Sequence, residues 1–292
     1  MKEKLRIRLY RKHASLLFGE NKMPNNDQYK DSAVFPVDID TDSDMMERLL
    51  DESHKLWNQG KLLFAGWNYI RKYSASELLS ARLFRLEIRK YIEPCGKEMG
   101  TQYDESHVCP LCYTGGVQIS PLRLRKGRYL YHKDVAITIG YEIIVSKRFV
   151  DMCKANEVKG IYFGPVYYGK NQSEDVFQLL MKSTELDISN QTRFGVDPCD
   201  FSEYDDNGPF GKREYYRCPN GDNLGLNILS EAYVKDCPAL QESDFFISRQ
   251  TYGVYRGLAV PRHLLFCSPR LMQLIKDNNI RGFDFEVAHV VD

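Results

Sequence analysis

Apolar and polar positions alternate over residues 5–10, with basic side chains in every second place, and predict a half-buried strand. Residues 19–32 are polar and read as a loop. Over residues 44–57 the apolar positions recur at helical spacing, with Met45, Leu49 and Leu56 on one side. Residues 61–70 are apolar and aromatic and read as a core strand. Ser74-Ala75-Ser76-Glu77 has the spacing of a capping box and predicts a short helix through Leu78, Leu79 and Ala81. Alternation returns over residues 83–92 and predicts another strand. Further strands are expected over 118–124 and 283–291, and residues 244–250 are expected to pair with 253–257. A helix is expected near Ser230-Glu231-Ala232.

The sharpest pattern is a module that occurs twice, without a gap, over residues 143–163 and 265–285. Identical pairs are Ser146/Ser268, Arg148/Arg270, Lys154/Lys276, Asn156/Asn278, Gly160/Gly282 and Phe163/Phe285. Each copy reads as an apolar strand, a serine that can cap a helix, a short amphipathic helix, a Lys-Gly or Arg-Gly step, and a second strand. Phe149, Val150 and Cys153 in one copy, and Leu271, Met272 and Ile275 in the other, give each helix one apolar face. Gly160 and Gly282 fall where the chain leaves the helix and a positive φ is cheap for glycine. The expected fold is α+β, with mixed or antiparallel sheets, short helices and two related strand–helix–strand halves. Residues 1–92 read as an N-terminal α+β region, and 93–292 as a cysteine-bearing segment plus the duplicated core.

Composition adds few exclusions. The 292 residues are 43% hydrophobic and 27% charged, ordinary for a globular chain, and large enough for one or two real cores. Net charge is zero, so no global basic field points to nucleic acid. Tyr (19) and Phe (15) far outnumber Trp (2), which suits strands and binding surfaces. The basic opening residues have no apolar signal-peptide core behind them, and no apolar run approaches the roughly 20 residues of a membrane helix. A cytoplasmic protein is expected, whose eight cysteines are thiols or metal ligands rather than disulfides.

Candidate chemistry is sparse. Asp38, Asp40, Asp42 and Asp44 alternate like a calcium loop. Counted from Asp40, however, Met45 stands where the turn needs glycine and Asp51 where glutamate is needed. With Asp200, Asp205 and Asp206, these acids are candidate contacts for a basic partner. Arg123, Arg125, Lys126, Arg128 and Lys133, interleaved with Tyr129 and Tyr131, are a weaker candidate for phosphate contact. Cys109-Pro110-Leu111-Cys112 is a knuckle that can turn two sulfurs onto one ion. Cys95 is the candidate third ligand, and His107 or Cys218 the fourth. A zinc ion held there is expected to be structural, since no open histidine-rich site accompanies it. A cysteine nucleophile lacks a Cys/His signature, and no Gly-rich phosphate loop or serine elbow occurs.

Several motifs together carry a resemblance. They are Gly100-Thr101-Gln102-Tyr103-Asp104-Glu105-Ser106 before the knuckle, Tyr216-Arg217-Cys218-Pro219, Arg256-Gly257-Leu258, Ser268-Pro269-Arg270-Leu271 and Ile280-Arg281-Gly282-Phe283. The region 75–292 resembles immunity proteins of bacterial polymorphic toxin systems, and is similar to the double-CxxCG paralogous family. It departs from that pattern: Tyr113 and Thr114 separate Cys112 from glycine, Gly221-Asp222 stands where a second cysteine pair is expected, and Met99 replaces an expected cysteine. The resemblance implies a binder that neutralises a cognate toxin without catalysis. A zinc- or thiol-dependent enzyme is the alternative expectation.

Overall fold

The computed structural model describes residues 1–19, 29, 31–182, 185–199, 218, 220–253 and 260–292. The chain is α+β, with short helices and antiparallel or mixed sheets, and it divides into two compact units: Met1–Leu79 with Gly195–Glu214, and Ser80–Phe194 with Tyr215–Asp292.

In the first unit, β1 (Lys2–Tyr10) runs antiparallel between β2 (Val34–Asp40) and β3 (Phe64–Lys72). Alternation along β1 sends Leu5, Ile7 and Leu9 inward, where all are fully buried. The helices α1 (Ala14–Phe18) and α2 (Asp44–Trp57) add Ala14, Leu17, Met46, Leu49 and Leu56 to that core. Helix α2 has its expected bounds, but Met46 rather than Met45 is buried, because 46, 49 and 56 share a face at heptad spacing. The capping box ahead of α3 (Ala75–Ser80) forms: Ser74 N–H donates to Glu77 Oε2 at 2.7 Å, and Glu77 N–H to Ser74 Oγ at 3.3 Å.

From residue 83 the chain runs β4 (Leu83–Ile88), β5 (Tyr91–Ile92), β6 (Tyr103–Asp104), β7 (Val117–Gln118), β8 (Leu122–Leu124), β9 (Val135–Thr138), β10 (Ile143–Ser146), α4 (Lys147–Ala155) and β11 (Ile161–Tyr168). Next come β12 (Asn171–Met181), β13 (Glu185–Leu186), β14 (Phe194–Gly195), β15 (Asn223–Leu224), β16 (Asn227–Ile228) and β17 (Ala232–Lys235). The chain then continues through α5 (Ala239–Glu242), β18 (Phe245–Gly253), β19 (Arg262–Cys267), α6 (Pro269–Asp277) and β20 (Phe283–Val291). Two sheets of the second unit have the strand orders β5-β9-β10-β12-β11-β8 and β13-β18-β19-β4-β20-β17.

These orders are the same order, with β4 and β12 exchanged. Each copy of a tandem duplication places its first strand in the other copy's sheet. The registers agree residue for residue. Phe177 of β12 lies opposite Val145 and Pro165, and Phe84 of β4 lies opposite their repeat counterparts Cys267 and Val287. Leu179 and Leu86 correspond in the same way. The turn at Gly169 (φ 63) and Lys170 folds β12 straight back on β11, which fixes its place, and β4 takes the matching slot between β19 and β20.

The duplication therefore reaches well beyond the two modules visible as sequence. Thr101 Oγ1 accepts the Arg123 N–H at 2.8 Å, and Thr192 Oγ1 accepts the Tyr233 N–H at 2.8 Å. Ser120 Oγ accepts the Gln102 N–H at 2.8 Å, and Ser230 Oγ accepts the Arg193 N–H at 2.9 Å. That last bond explains why no helix forms near Ser230: the serine ties a turn, and Ala232 opens β17. Of the expected pairing of residues 244–250 with 253–257, only the first segment and Gly253 are among the described residues. Residues 245–253 are one strand, β18, paired with β19, and 254–257 lie outside the described residues.

The two modules clasp one another reciprocally. Ser146 and Ser268 cap α4 and α6, accepting the Phe149 N–H at 3.2 Å and the Leu271 N–H at 3.1 Å. Asp134 accepts from Ser146 Oγ (2.8 Å), Arg148 (3.0 Å) and the Arg281 N–H (2.8 Å). Its counterpart Asp244 accepts from Ser268 Oγ (2.9 Å), Arg270 (2.8 Å) and the Lys159 N–H (3.0 Å). Arg148 also donates to the Asn279 carbonyl and Arg270 to the Asn156 carbonyl, so each copy reaches into the other. Such mutual pairing is the mark of a two-fold contact, here within one chain. At Gly282 (φ 114) a Cβ would lie 2.8 Å from Val135 Cγ1 and 3.0 Å from its carbonyl oxygen, so close approach as well as φ demands glycine.

Candidate metal centre

The loops that follow β6 and β14 are equivalent in the duplication, and both carry a Cys-Pro step, at Cys109-Pro110 and Cys218-Pro219. In the first loop the Tyr113 N–H bonds the Cys109 carbonyl and the Cys109 N–H bonds the Thr114 carbonyl, both at 2.9 Å. Gly115 (φ 98) releases the chain. In the second, the Gly221 N–H bonds the Cys218 carbonyl at 2.9 Å and the Cys218 N–H bonds the Asp222 carbonyl at 3.1 Å, with Gly221 at φ 86. Two similar turns thus point sulfurs at one place.

Cys109, Cys112 and Cys218 are all buried, and their sulfurs lie within 4.8 Å of one another. Asp222 lies beside two of these sulfurs. Its Oδ2 sits 3.5 Å from Cys112 Sγ, 3.3 Å from Cys218 Sγ and 3.3 Å from Thr114 Oγ1, while Oδ1 accepts the Thr251 N–H at 2.8 Å. A tetrahedral ion with ligand bonds of ~2.0–2.3 Å has ligand–ligand edges of about 3.3–3.8 Å, and the separations of Asp222 Oδ2 from the Cys112 and Cys218 sulfurs fall in that range. The group can hold a metal ion.

The protonation landscape suits that use. Backbone N–H groups of Cys112 and Leu111 directed at the Cys109 sulfur lower its pKa and favour the thiolate. Burial pushes the Cys112 thiol up to about 12, so this sulfur keeps its proton unless a cation replaces it. Burial opposes the charge on Asp222, yet the Thr251 N–H and the thiols hold the carboxyl below its usual range.

The structure brings the two knuckle cysteines together with Cys218 and leaves Cys95 apart from them. Cys95 is buried elsewhere, at a turn where its N–H donates to Glu98 Oε2 at 2.8 Å, and it does not belong to the cluster. Beside it Glu142, buried, accepts from Gly96 N–H at 3.0 Å and from the Tyr103 and Thr138 hydroxyls, anchoring the segment from below. His107 is exposed and no imidazole joins the three sulfurs. Cys218 is the third sulfur. Asp222, in contact with two of the sulfurs, was not anticipated; the signal that could have found it is the repeated Cys-Pro step, which aligns Gly221-Asp222 with the second half of the knuckle.

Of the acidic candidates, Asp38 and Asp40 lie on the exposed face of β2 opposite Arg6 and Lys4. Arg6 grips Asp38 through Nε at 2.5 Å and Nη2 at 2.7 Å, and Lys4 lies 3.1 Å from Asp40. Asp42 and Asp44, exposed in the turn and at the start of α2, make no ion pair among the described residues. Asp200, Asp205 and Asp206 lie outside the described residues. Within the basic tract, Arg123 donates to the Gly169 carbonyl at 2.9 Å, and Arg125, Lys126 and Arg128 are exposed.

No protein-family model matches the chain, and neither a curated protein nor a solved structure matches it. No helix among the described residues is long and apolar enough to cross a membrane.

Proposed function

We propose that this chain is a cytoplasmic protein-binding protein of the immunity type, which neutralises a cognate bacterial toxin by occupying it. Zinc, held by Cys109, Cys112, Cys218 and Asp222, is a structural tie. The observation that carries the reading is the construction of the thiol centre. Its ligands come from equivalent loops of two halves, every sulfur is buried, and no imidazole stands by to act as a base. Such a closed set suits a structural ion, whereas a catalytic one keeps a position open to water. The toxin-neutralising part rests on the resemblance carried by the Gly100–Ser106, knuckle and Ser268–Phe283 motifs. Asp42 and Asp44 supply unpaired negative charge for steering a basic partner.

The test is capture of a tagged chain from its native host, read by mass spectrometry, together with metal analysis of the purified protein. One stoichiometric partner with a toxin-like domain, and about one zinc per chain, is the expected result. Absence of any partner, with turnover of some substrate that Cys109→Ser abolishes while leaving the fold intact, overturns it. That second reading, a thiol-dependent enzyme, is favoured by one observation only, the N–H groups that favour the Cys109 thiolate.

A further inference from the structure

Away from the sulfur centre, a cavity of about 150 Å³ lies between the two copies of the duplication. Its apolar wall is made by Leu86, Ile88, Ile137, Ile143, Met181 and Leu265. Ile88 and Met181 occupy equivalent positions on the exchanged strands β4 and β12, and Ile143 and Leu265 are repeat counterparts, so the wall is built nearly symmetrically from both copies.

The polar end is not symmetric. Arg262 stands where the first copy has Gly140, and it lines the cavity with Tyr141 and Tyr252. Its guanidinium sits 5.3 Å from the Tyr141 ring centre and 5.8 Å from those of Tyr91 and Tyr252, and it donates through Nη1 to the Tyr91 hydroxyl. No carboxylate is within ion-pairing distance of it among the described residues. Glu87 and His263 also line the cavity, and the Glu87 charge acts on Arg262, but its carboxylate is paired with Arg85 at 2.7 Å, which also grips Glu286 at 2.8 Å. A guanidinium has five N–H donors in a planar fork, and among the described residues one is used here. The hydroxyls of Tyr141 and Tyr252 likewise bond no protein group among the described residues.

We propose that this cavity binds a small monocarboxylate with a compact apolar body, its carboxylate taken by the free edge of the Arg262 fork and its body by the Leu/Ile/Met wall. A cavity of this size lined by aliphatic side chains accommodates a group of about the size of a benzene ring, which sets the ligand class: short branched or aromatic acids. The fork matches a planar carboxylate in two parallel bonds, and the tyrosine rings keep the cation in place by facing it. This inference is independent of the toxin-neutralising reading and of the metal.

The test is titration of the full-length protein with benzoate, 3-methylbutanoate and benzamide. It is read by calorimetry and by the methyl resonances of Ile88, Ile137, Ile143 and Met181. Saturable methyl shifts with both acids are expected, with benzamide weaker than benzoate by about tenfold or more, the worth of a charge-assisted bond. Arg262→Gln should remove that preference, so that benzoate binds no more tightly than benzamide. The acid–amide comparison on the unaltered protein stands even if that variant folds poorly. Absence of saturable shifts with either acid, or benzamide bound as tightly as benzoate, overturns the proposal.

Discussion

Oδ1 of Asp222 is engaged by the Thr251 N–H while Oδ2 faces two sulfurs, so one oxygen positions the carboxylate and the other is the one that the proposed zinc would meet. Asp222→Asn keeps the first and loses the anionic ligand. Zinc affinity should fall by about tenfold or more with little change in the metal-free stability, measured by chelator competition and urea unfolding. Cys218→Ser should lower zinc affinity at least as far, and Cys95→Ser should leave it unchanged; retained zinc in the first or lost zinc in the second would refute the ligand set. The pH dependence has a definite sign. Cys112, pushed up to about 12, must release its proton to bind metal, so zinc affinity should rise from about pH 6 to about pH 8 in the same competition assay. The knuckle was legible because its two cysteines are adjacent in sequence. Cys218 could be named only as an alternative to His107, and Asp222 not at all, because contact between distant loops leaves no spacing to read. Cys95 misled because it is close along the chain and lies elsewhere in the fold.

At the scale of elements, the clasp around Asp134 and Asp244 makes the duplication testable. Each carboxylate satisfies a helix-capping serine, an arginine and a backbone N–H of the other copy, so removing it strands several donors in a part-buried place. Asp134→Ala and Asp244→Ala should each cost about 2–3 kcal/mol in urea unfolding, and by similar amounts because the sites are equivalent. Ser146→Ala and Ser268→Ala should cost less, about 1 kcal/mol each. A large inequality between the two aspartates would show that the copies have diverged in energetics despite their matching geometry. The helices, their caps and their apolar faces were readable because the two modules align without a gap. The wider repeat was not. Its matching residues, such as Thr101/Thr192, Ser120/Ser230 and Phe84/Phe177, recur at different spacings wherever one copy has a longer loop. The exchange of β4 and β12 leaves no trace in periodicity at all, since alternation reports that a strand has two faces and not which sheet it joins.

For the molecule as a whole, the exchange binds the second unit into one cooperative body, because neither six-strand order is complete without a strand from the other copy. Amides of β4 and β12 should then exchange with solvent at the same free energy, that of global unfolding of the unit, whereas independent halves would give two values by native-state hydrogen exchange. Charge follows a different logic. Net charge is zero, and the first unit spends Asp38 and Asp40 on cross-strand pairs with Arg6 and Lys4, so these acids serve the sheet. Arg6 beside Asp38 holds that carboxyl below the usual range, against the opposing effect of burial. Asp42 and Asp44 have no such partner, and their field is available to a basic surface arriving from solution. Once a partner is in hand, Asp42→Lys with Asp44→Lys should slow association by about tenfold at low salt, and the loss should shrink as ionic strength rises, since steering is screened. Asp38→Lys should instead act mainly on stability, by setting like charges opposite one another on β1 and β2. Stopped-flow association at two salt concentrations separates the cases. Equal slowing by Asp38→Lys would mean that the paired acids also face the partner, and unchanged rates in the double variant would remove this edge from the interface.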